Sequence, residues 1–316
     1  MTPEEWRLVK EHLAALLELD AAQRAAYLDA LEPGLRVEVR SMLEADARQA
    51  AALEGGAAPA PDPAARWVGR RIGPYEVTGL LGEGGMGVVF RARRADGAFE
   101  REVAVKLLRR SFLAPQFRER FHLERQILAR LEHPAIARLL DGGETEEGDP
   151  YLVMELVDGI SIDRYCVQQG LGVAARIALF QEACDAVQYA HRNLVVHRDL
   201  KPGNILVGAD GHPRLVDFGI ARELDAGDAD ATQPTQLPVM TLEYASPEQV
   251  RGERVTTASD VYSLGVVLYV LLAGCRPYRV RDDSSPELIR AICAGDPILP
   301  SVAVASGATR PAPGTP

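Results

Sequence analysis

The chain has few cysteines, no long apolar run and no excess of positive charge, and each shortage removes a class of protein. The four cysteines, Cys166, Cys184, Cys275 and Cys293, are widely spaced with no CxxC pair. This argues against a disulfide framework or a zinc site and for reduced, buried thiols in a cytoplasmic protein. A formal net charge of −10 has the wrong sign for nucleic acid or an anionic membrane surface, both of which select basic patches. The most apolar segment, Val261–Ala273, contains Ser263 and Gly265 and falls short of the roughly 20 residues that cross a bilayer; it reads as a buried core helix. The N-terminus is acidic and amphipathic and lacks the basic flank and apolar run of a signal peptide. No repeat of fixed period is present. What remains, 47% hydrophobic and 25% charged over 316 residues, is the composition of a soluble globular protein with one large domain or two modest ones.

The densest chemistry lies in Val196–Val207, VHRDLKPGNILV. Apolar flanks pin a short loop that presents His197, Arg198, Asp199, Lys201 and Asn204, more ionisable and amide groups than a structural loop needs. Asp199 is a candidate base, Lys201 a fixed cation beside it, and Asn204 an oxygen ligand for a hard metal such as Mg²⁺. The sequence Gly208-Ala209-Asp210-Gly211 then reads as a hairpin turn, and Leu215-Val216-Asp217-Phe218-Gly219 supplies a second carboxylate after a short strand.

Upstream, residues 1–53 read as three helices. Thr2 and Glu5 have capping-box spacing with Pro3 at the first helical position, and Trp6, Val9, Leu13, Leu16 and Leu17 form one apolar face. They form either a docking module for a protein partner or a small appendage without chemistry. Residues 54–72 begin with a Gly-, Ala- and Pro-rich run and read as a semi-rigid linker. From Ile72 the pattern turns to strands. Leu81-Gly82-Glu83-Gly84-Gly85-Met86-Gly87-Val88-Val89-Phe90 is a GxGxxGxV stretch. A dinucleotide-binding fold would require a helix directly after these glycines, but Val88–Arg93 has the character of a strand, so the glycines belong to a hairpin whose bare N–H groups can close over phosphates. Lys106 stands among valines and alanine in Glu102–Leu108, as a functional cation or as a charge guarding a sheet edge. In the expected helix 115–131, Glu124 sits beside an apolar face, where an unpaired carboxylate is costly and pairing with Lys106 removes the cost. Tyr151–Gly159 is an apolar strand ending in glycine.

In this order the motifs resemble the eukaryotic-type protein kinases, and specifically a bacterial eukaryotic-like (Hanks-type) serine/threonine protein kinase. The resemblance covers residues 73–296. It implies an α+β, two-lobed protein-kinase fold, with a β-rich small lobe (73–154) and a mainly helical large lobe (159–296), preceded by the helical segment and followed by a disordered tail (297–316). The same resemblance implies ATP as phosphoryl donor, Mg²⁺ (or Mn²⁺) as metal and protein Ser/Thr hydroxyls as acceptors. Leu81, Gly82, Gly84 and Gly87 would cover the phosphates, and Val89 and Ala104 would sandwich the adenine. Lys106 would meet the α- and β-phosphates, held by Glu124. Met154 would be the gatekeeper, or plain core filler, with the backbone of Glu155 and Val157 facing adenine. Asn204 and Asp217 would hold the metal, while Asp199 and Lys201 act on the transferring group. Arg198 before the base makes Thr232 and Thr235 candidate phosphorylation sites, and Thr241–Glu248 resembles the substrate-binding threonine and an APE-like motif. Asp260 would tie down the backbone of the His197–Asp199 loop.

The large lobe looks truncated. After Ala294 the chain turns to Pro, Ala, Gly and Ser, where the family continues through two more helices and an arginine that pairs with the residue equivalent to Glu248. Without them the helix at 261–273 is expected to face solvent in part, at about 25 cal/mol per Å² of apolar surface. This leaves a catalytically impaired pseudokinase or scaffold as the alternative to an active enzyme, and a helical adaptor acting through residues 1–53 as a third reading.

Overall fold

A computed structural model describes residues 65–84, 87–97, 101–108, 125–218, 242–278 and 285–305, with Tyr27 and Leu31 besides. The chain divides into two compact units, Met1–Asp62 and Pro63–Pro316. The three helices expected in the first unit lie outside the described residues.

The second unit opens with six antiparallel strands: β1 (Arg71–Ile72), β2 (Tyr75–Gly84), β3 (Gly87–Arg94), β4 (Glu102–Leu108), β5 (Leu139–Glu144) and β6 (Pro150–Glu155), in the order β1-β2-β3-β4-β6-β5. Alternation decides which side is core. Val77, Phe90, Ala92, Val103, Val105, Leu107, Tyr151 and Val153 pack on one face with Ile72 and Tyr75. Fully buried Ile72, where strand character is expected to begin, and partly buried Trp67, inside the expected linker, both belong to this core. A single tryptophan in a polar run is too sparse a signal to mark structure.

The helical part begins with a small sheet, β7 (Gly159–Ser161), β8 (Ile205–Gly208) and β9 (Pro213–Leu215), in which β8 pairs with both neighbours. Gly159 is required there, because a Cβ would sit 2.7 Å from the Val207 carbonyl oxygen. Helices α1 (Ile162–Gln168) and α2 (Val173–Arg192) precede the polar loop, and α3 (Pro247–Arg251), α4 (Thr257–Ala273), α5 (Ser285–Ala294) and α6 (Pro300–Ala305) follow. Thr256 and Ser259 form a capping box that starts α4, and Gly274, in the left-handed conformation at φ 68°, ends it. Helix α4 is buried on nearly every side, as its apolar composition requires. Leu264, Val267 and Leu271 join the same core as Leu179, Phe180 and Val187 of α2.

The expected disordered tail is corrected in part. Residues 300–305 form α6, and Ala303 packs against Tyr269 and Ala273 of α4. Leu288 and Ile292 of α5 pack on Leu242. Of the large apolar side chains on α4, Val261 is the one left mainly to solvent, at 62% exposure. The exposure expected from a shortened lobe is therefore confined to one end of the helix, because a short Ala- and Val-rich turn is enough to cover Tyr269 and Ala273. The cysteines also differ from expectation: all four are free, but only Cys166 is buried and the other three are half-buried.

Ala303→Asp would put a carboxylate against Tyr269 and Ala273, and it is expected to lower unfolding free energy by about 1–3 kcal/mol. Val302→Asp, at a half-exposed position, should stay within about 0.5 kcal/mol. Urea unfolding monitored by circular dichroism measures both, and equal small effects would show that α6 does not hold α4.

Candidate active site

The alternation that buries Val103, Val105 and Leu107 turns Ala104 and Lys106 to the opposite face of β4. Register extends that face across the sheet, with Val89 opposite Lys106, Lys106 opposite Leu152, and Ala104 opposite Met154. Lys106 is 5% exposed and donates to the carboxylate of Asp217, which lies 111 residues further along the chain. This contact spans the two parts of the fold, and a buried ammonium needs such a partner. Met154 is half-buried and lines an apolar recess beside Asp217 with Leu128, Leu131, Ile136, Leu139 and Leu152.

The glycine-rich stretch is a hairpin, as its residues predict. Gly84 pairs with Gly87, and register shifts near Gly79 and Gly82 bend the outer strand. Leu81 and Gly84 are exposed and Gly82 is half-buried. At Gly87 the backbone φ is +155°, and a Cβ would stand 2.1 Å from the Leu107 carbonyl oxygen. No other residue fits this approach of β3 to β4. At the end of β6, Glu155 donates its N–H to the Arg138 carbonyl at 2.9 Å, and Val157 is half-buried beyond it.

The polar loop between α2 and β8 is held from below by α4. Asp260, 1% exposed, accepts the His197 N–H at 2.8 Å and the Arg198 N–H at 2.9 Å, and its Oδ2 lies 2.7 Å from His191 Nε2. Arg198 takes a left-handed conformation, φ 66°, which a side chain adopts at a cost unless its surroundings impose it. Above this base, Asp199 Oδ2 lies 2.9 Å from Lys201 Nζ and accepts from Asn204 Nδ2 at 2.9 Å. Asn204 Nδ2 also donates to the Asp199 carbonyl at 2.7 Å. The Val216 N–H donates to the Asn204 carbonyl at 3.0 Å, which sets the strand leading to Asp217 beside the loop. Asp217 itself has φ 61°, and Phe218 is buried with its ring 4.5 Å from that of His197.

Lys106 and Asp217 thus form one pair, and Asp199, Lys201 and Asn204 form a second cluster joined to the first through Val216. Glu124, the expected partner of Lys106, lies outside the described residues, as do Thr232, Thr235 and Thr241. Two contributors escaped the sequence reading. Gln249 Nε2 donates to the Arg198 carbonyl at 2.8 Å, and Ser259 Oγ donates to Glu248 at 2.5 Å. Ser246 and Gln249 form a capping box, and nothing in that local pattern indicates a bond 51 residues away.

Electrostatics follow from this burial. His197 is fully buried, so its imidazole is pushed below its ordinary pKa, and the nearby Asp260, Asp199 and Asp217 only partly offset that. The neutral ring accepts the Asp199 N–H at Nδ1, 3.4 Å away. Burial alone would push the Glu248 carboxyl up, but the bond from Ser259 and neighbouring backbone and side-chain donors outweigh it and hold it below the usual carboxylate range. Among the described residues no cluster of three His, Cys, Asp or Glu side chains is placed to hold a metal. Besides the Asp199 carboxylate, which Lys201 and Asn204 engage, the hard oxygen donors expected to serve a metal are the Asp217 carboxylate and the Asn204 amide. That sparse set fits a cation whose remaining ligands are phosphate and water, as Mg²⁺ prefers.

A β-sheet-rich part, a helical part and, where they meet, the pair Lys106–Asp217 and the cluster Asp199–Lys201–Asn204 define the class of the fold, a two-lobed kinase-like α+β protein. The family model for the protein kinase domain matches residues 75–295, and the chain belongs to that family, whose members use ATP and a divalent metal. It is similar to the serine/threonine-protein kinase PknB of Mycobacterium tuberculosis (strain ATCC 25618 / H37Rv), 41% identical over 232 residues covering 72% of this chain and 36% of the relative. PknB of Mycobacterium leprae (strain TN) is 41% identical over 234 residues, again 72% of this chain and 36% of the relative. Serine/threonine-protein kinase PknA of Mycobacterium tuberculosis (strain ATCC 25177 / H37Ra) is 42% identical over 212 residues, 65% of this chain and 48% of the relative. The chain spans between about a third and a half of the length of these curated relatives. No described helix is long and apolar enough to cross a membrane.

The buried neutral His197 makes a pH prediction. Its folded pKa lies below the unfolded value of about 6.5, so the unfolded chain takes up the proton first and stability falls as pH drops below that value. Urea unfolding between pH 7.5 and 5.5 should show this decline, and His197→Asn should flatten it. An equal slope in the variant would place the titration elsewhere.

Proposed function

We propose that the chain is a serine/threonine protein kinase domain that transfers the γ-phosphoryl group of ATP to Ser or Thr hydroxyls of proteins, its own included. The observation that supports this reading is that Lys106 pairs with Asp217, while Asp199, Lys201 and Asn204 cluster in a loop whose backbone is hydrogen-bonded to the residue before Asp217. Phosphoryl transfer is mostly positioning and charge stabilisation, and these residues supply both.

In this reading Leu81, Gly82, Gly84 and Gly87 close over the phosphates, Val89, Ala104 and Met154 bound the adenine site, and the backbone of Glu155 and Val157 faces the base. Lys106, held by Glu124, turns from Asp217 to the α- and β-phosphates. Asp217 and Asn204 would hold Mg²⁺, which when bound neutralises phosphate charge. Asp199 orients the acceptor hydroxyl and receives its proton as the new O–P bond forms and the bond to the departing ADP oxygen breaks. Lys201, already beside Asp199, faces the charge on the transferring group.

The lysine chemistry argues for Ser/Thr acceptors, since Lys201 two residues after Asp199 resembles the Ser/Thr form of this loop. The pseudokinase reading loses its ground, because α5 and α6 cover much of what the shortened lobe was expected to expose. We assign the domain to the cytoplasm on its free thiols and its need for ATP. The boundaries we propose are a helical segment over 1–53, a linker that ends before Trp67, and a kinase domain that includes α6.

Incubation of the purified chain with radiolabelled ATP and Mg²⁺ should label the chain or a generic basic protein substrate on Ser or Thr. Asp199→Ala is expected to lower transfer by roughly 10²–10⁴-fold, and Lys106→Met to abolish it, both with near-native circular dichroism. Transfer at the parental rate in either variant would refute the assigned roles.

A further inference from the structure

Asp199 can serve as acceptor only if its carboxylate is aimed, and its aim depends on the peptide that precedes it. That peptide joins Arg198, whose φ of 66° is imposed rather than preferred, to Asp199. Its N–H donates to His197 Nδ1 at 3.4 Å, and its carbonyl receives the Gln249 Nε2 hydrogen at 2.8 Å. The preceding peptide is fixed by Asp260, which accepts the Arg198 N–H. Arg198 is therefore gripped on both sides, by a carboxylate from α4 and by a carboxamide from α3.

Gln249 is itself held rigidly. Its Oε1 accepts the Ser246 N–H at 3.0 Å, and its own N–H reaches Ser246 Oγ at 3.4 Å. Ser246 is fully buried. The neighbouring Glu248 accepts from Ser259 of α4, and Ser263 of α4 donates to the Tyr244 carbonyl at 2.8 Å. Both grips on Arg198 thus rest on the same helix, one directly and one through the segment 244–249.

We propose that Gln249 is a positioning residue: its carboxamide locks the Arg198–Asp199 peptide and so couples the placement of the segment 244–249 to the aim of the Asp199 carboxylate. The inference deepens the kinase reading and rests on it. Capping α3 and clamping Arg198 use different atoms of one side chain, so the two duties can be separated. Gln249→Glu keeps an oxygen for the Ser246 N–H but replaces the donor to Arg198 with a second oxygen; Gln249→Ala removes both.

The test compares kcat and KM for ATP, thermal unfolding, and backbone hydrogen exchange over residues 196–200 in the full chain and the two variants. Gln249→Glu should lower kcat by about 10- to 100-fold, as displaced catalytic groups do. It should leave KM for ATP and the unfolding temperature near the parent's and raise exchange at the Asp199 amide. Gln249→Glu with parental kcat and parental exchange would overturn the proposal and reduce Gln249 to a helix cap, whatever Gln249→Ala does. If the parent chain itself transfers no phosphate, the kinase reading fails, and the exchange measurement still decides whether Gln249 fixes the loop.

Discussion

The site depends on one buried carboxylate. Asp260 brings a negative charge to a position 1% exposed, where an uncompensated ion would be strongly destabilising. It is tolerated because two backbone N–H groups and an imidazole nitrogen converge on it, and those N–H groups would otherwise be buried without partners. The cost of burying the ion and the cost of orphaning the loop cancel. The polar side chains that α4 buries, Ser259, Asp260 and Ser263, all lie in its first two turns, and the loop that Asp260 holds needs no regular secondary structure to be fixed.

The linkage between the two lobes is equally economical. Ile136 bridges to Leu215, with the Leu215 N–H on the Ala135 carbonyl and the Ala137 N–H on the Leu215 carbonyl. The segment that leads into β5 thus runs alongside the strand that leads to Asp217. Lys106 approaches from the sheet side. The cleft is therefore bounded by backbone hydrogen bonds on one flank and by an ion pair within it.

Much of this was legible in the residues. Strict alternation in β4, the turn at Gly208–Gly211 and the apolar run of α4 each fix a local structure by a rule of period or conformation. The order of the motifs then leaves few ways to assemble them. Asp260 was anticipated as the anchor of the loop, and Lys106 and Asp217 as occupants of one cleft. What could not be read were contacts of high sequence separation made by ordinary residues. Gln249 on Arg198 and Ser259 on Glu248 use side chains with many possible partners, and only the packed fold selects one. Weak hydrophobic signals also misled: Trp67 in a polar run and Ala303 in a run of small residues anchor structure where composition suggested none.

The pairing of Lys106 with Asp217 has a consequence for the order in which ligands can enter. Without nucleotide, each ion satisfies the other, so the interior carries no stranded charge. On the proposed function, a triphosphate arriving with its cation would offer a partner exchange, anion to ammonium and cation to carboxylate, so that neither ion of the pair is left alone. A bare triphosphate offers only half of that trade and would leave the aspartate facing like charge in a poorly solvated setting. On the proposed function, the pair would favour a nucleotide bound with its metal over the nucleotide alone by electrostatics, before any geometry of coordination is considered.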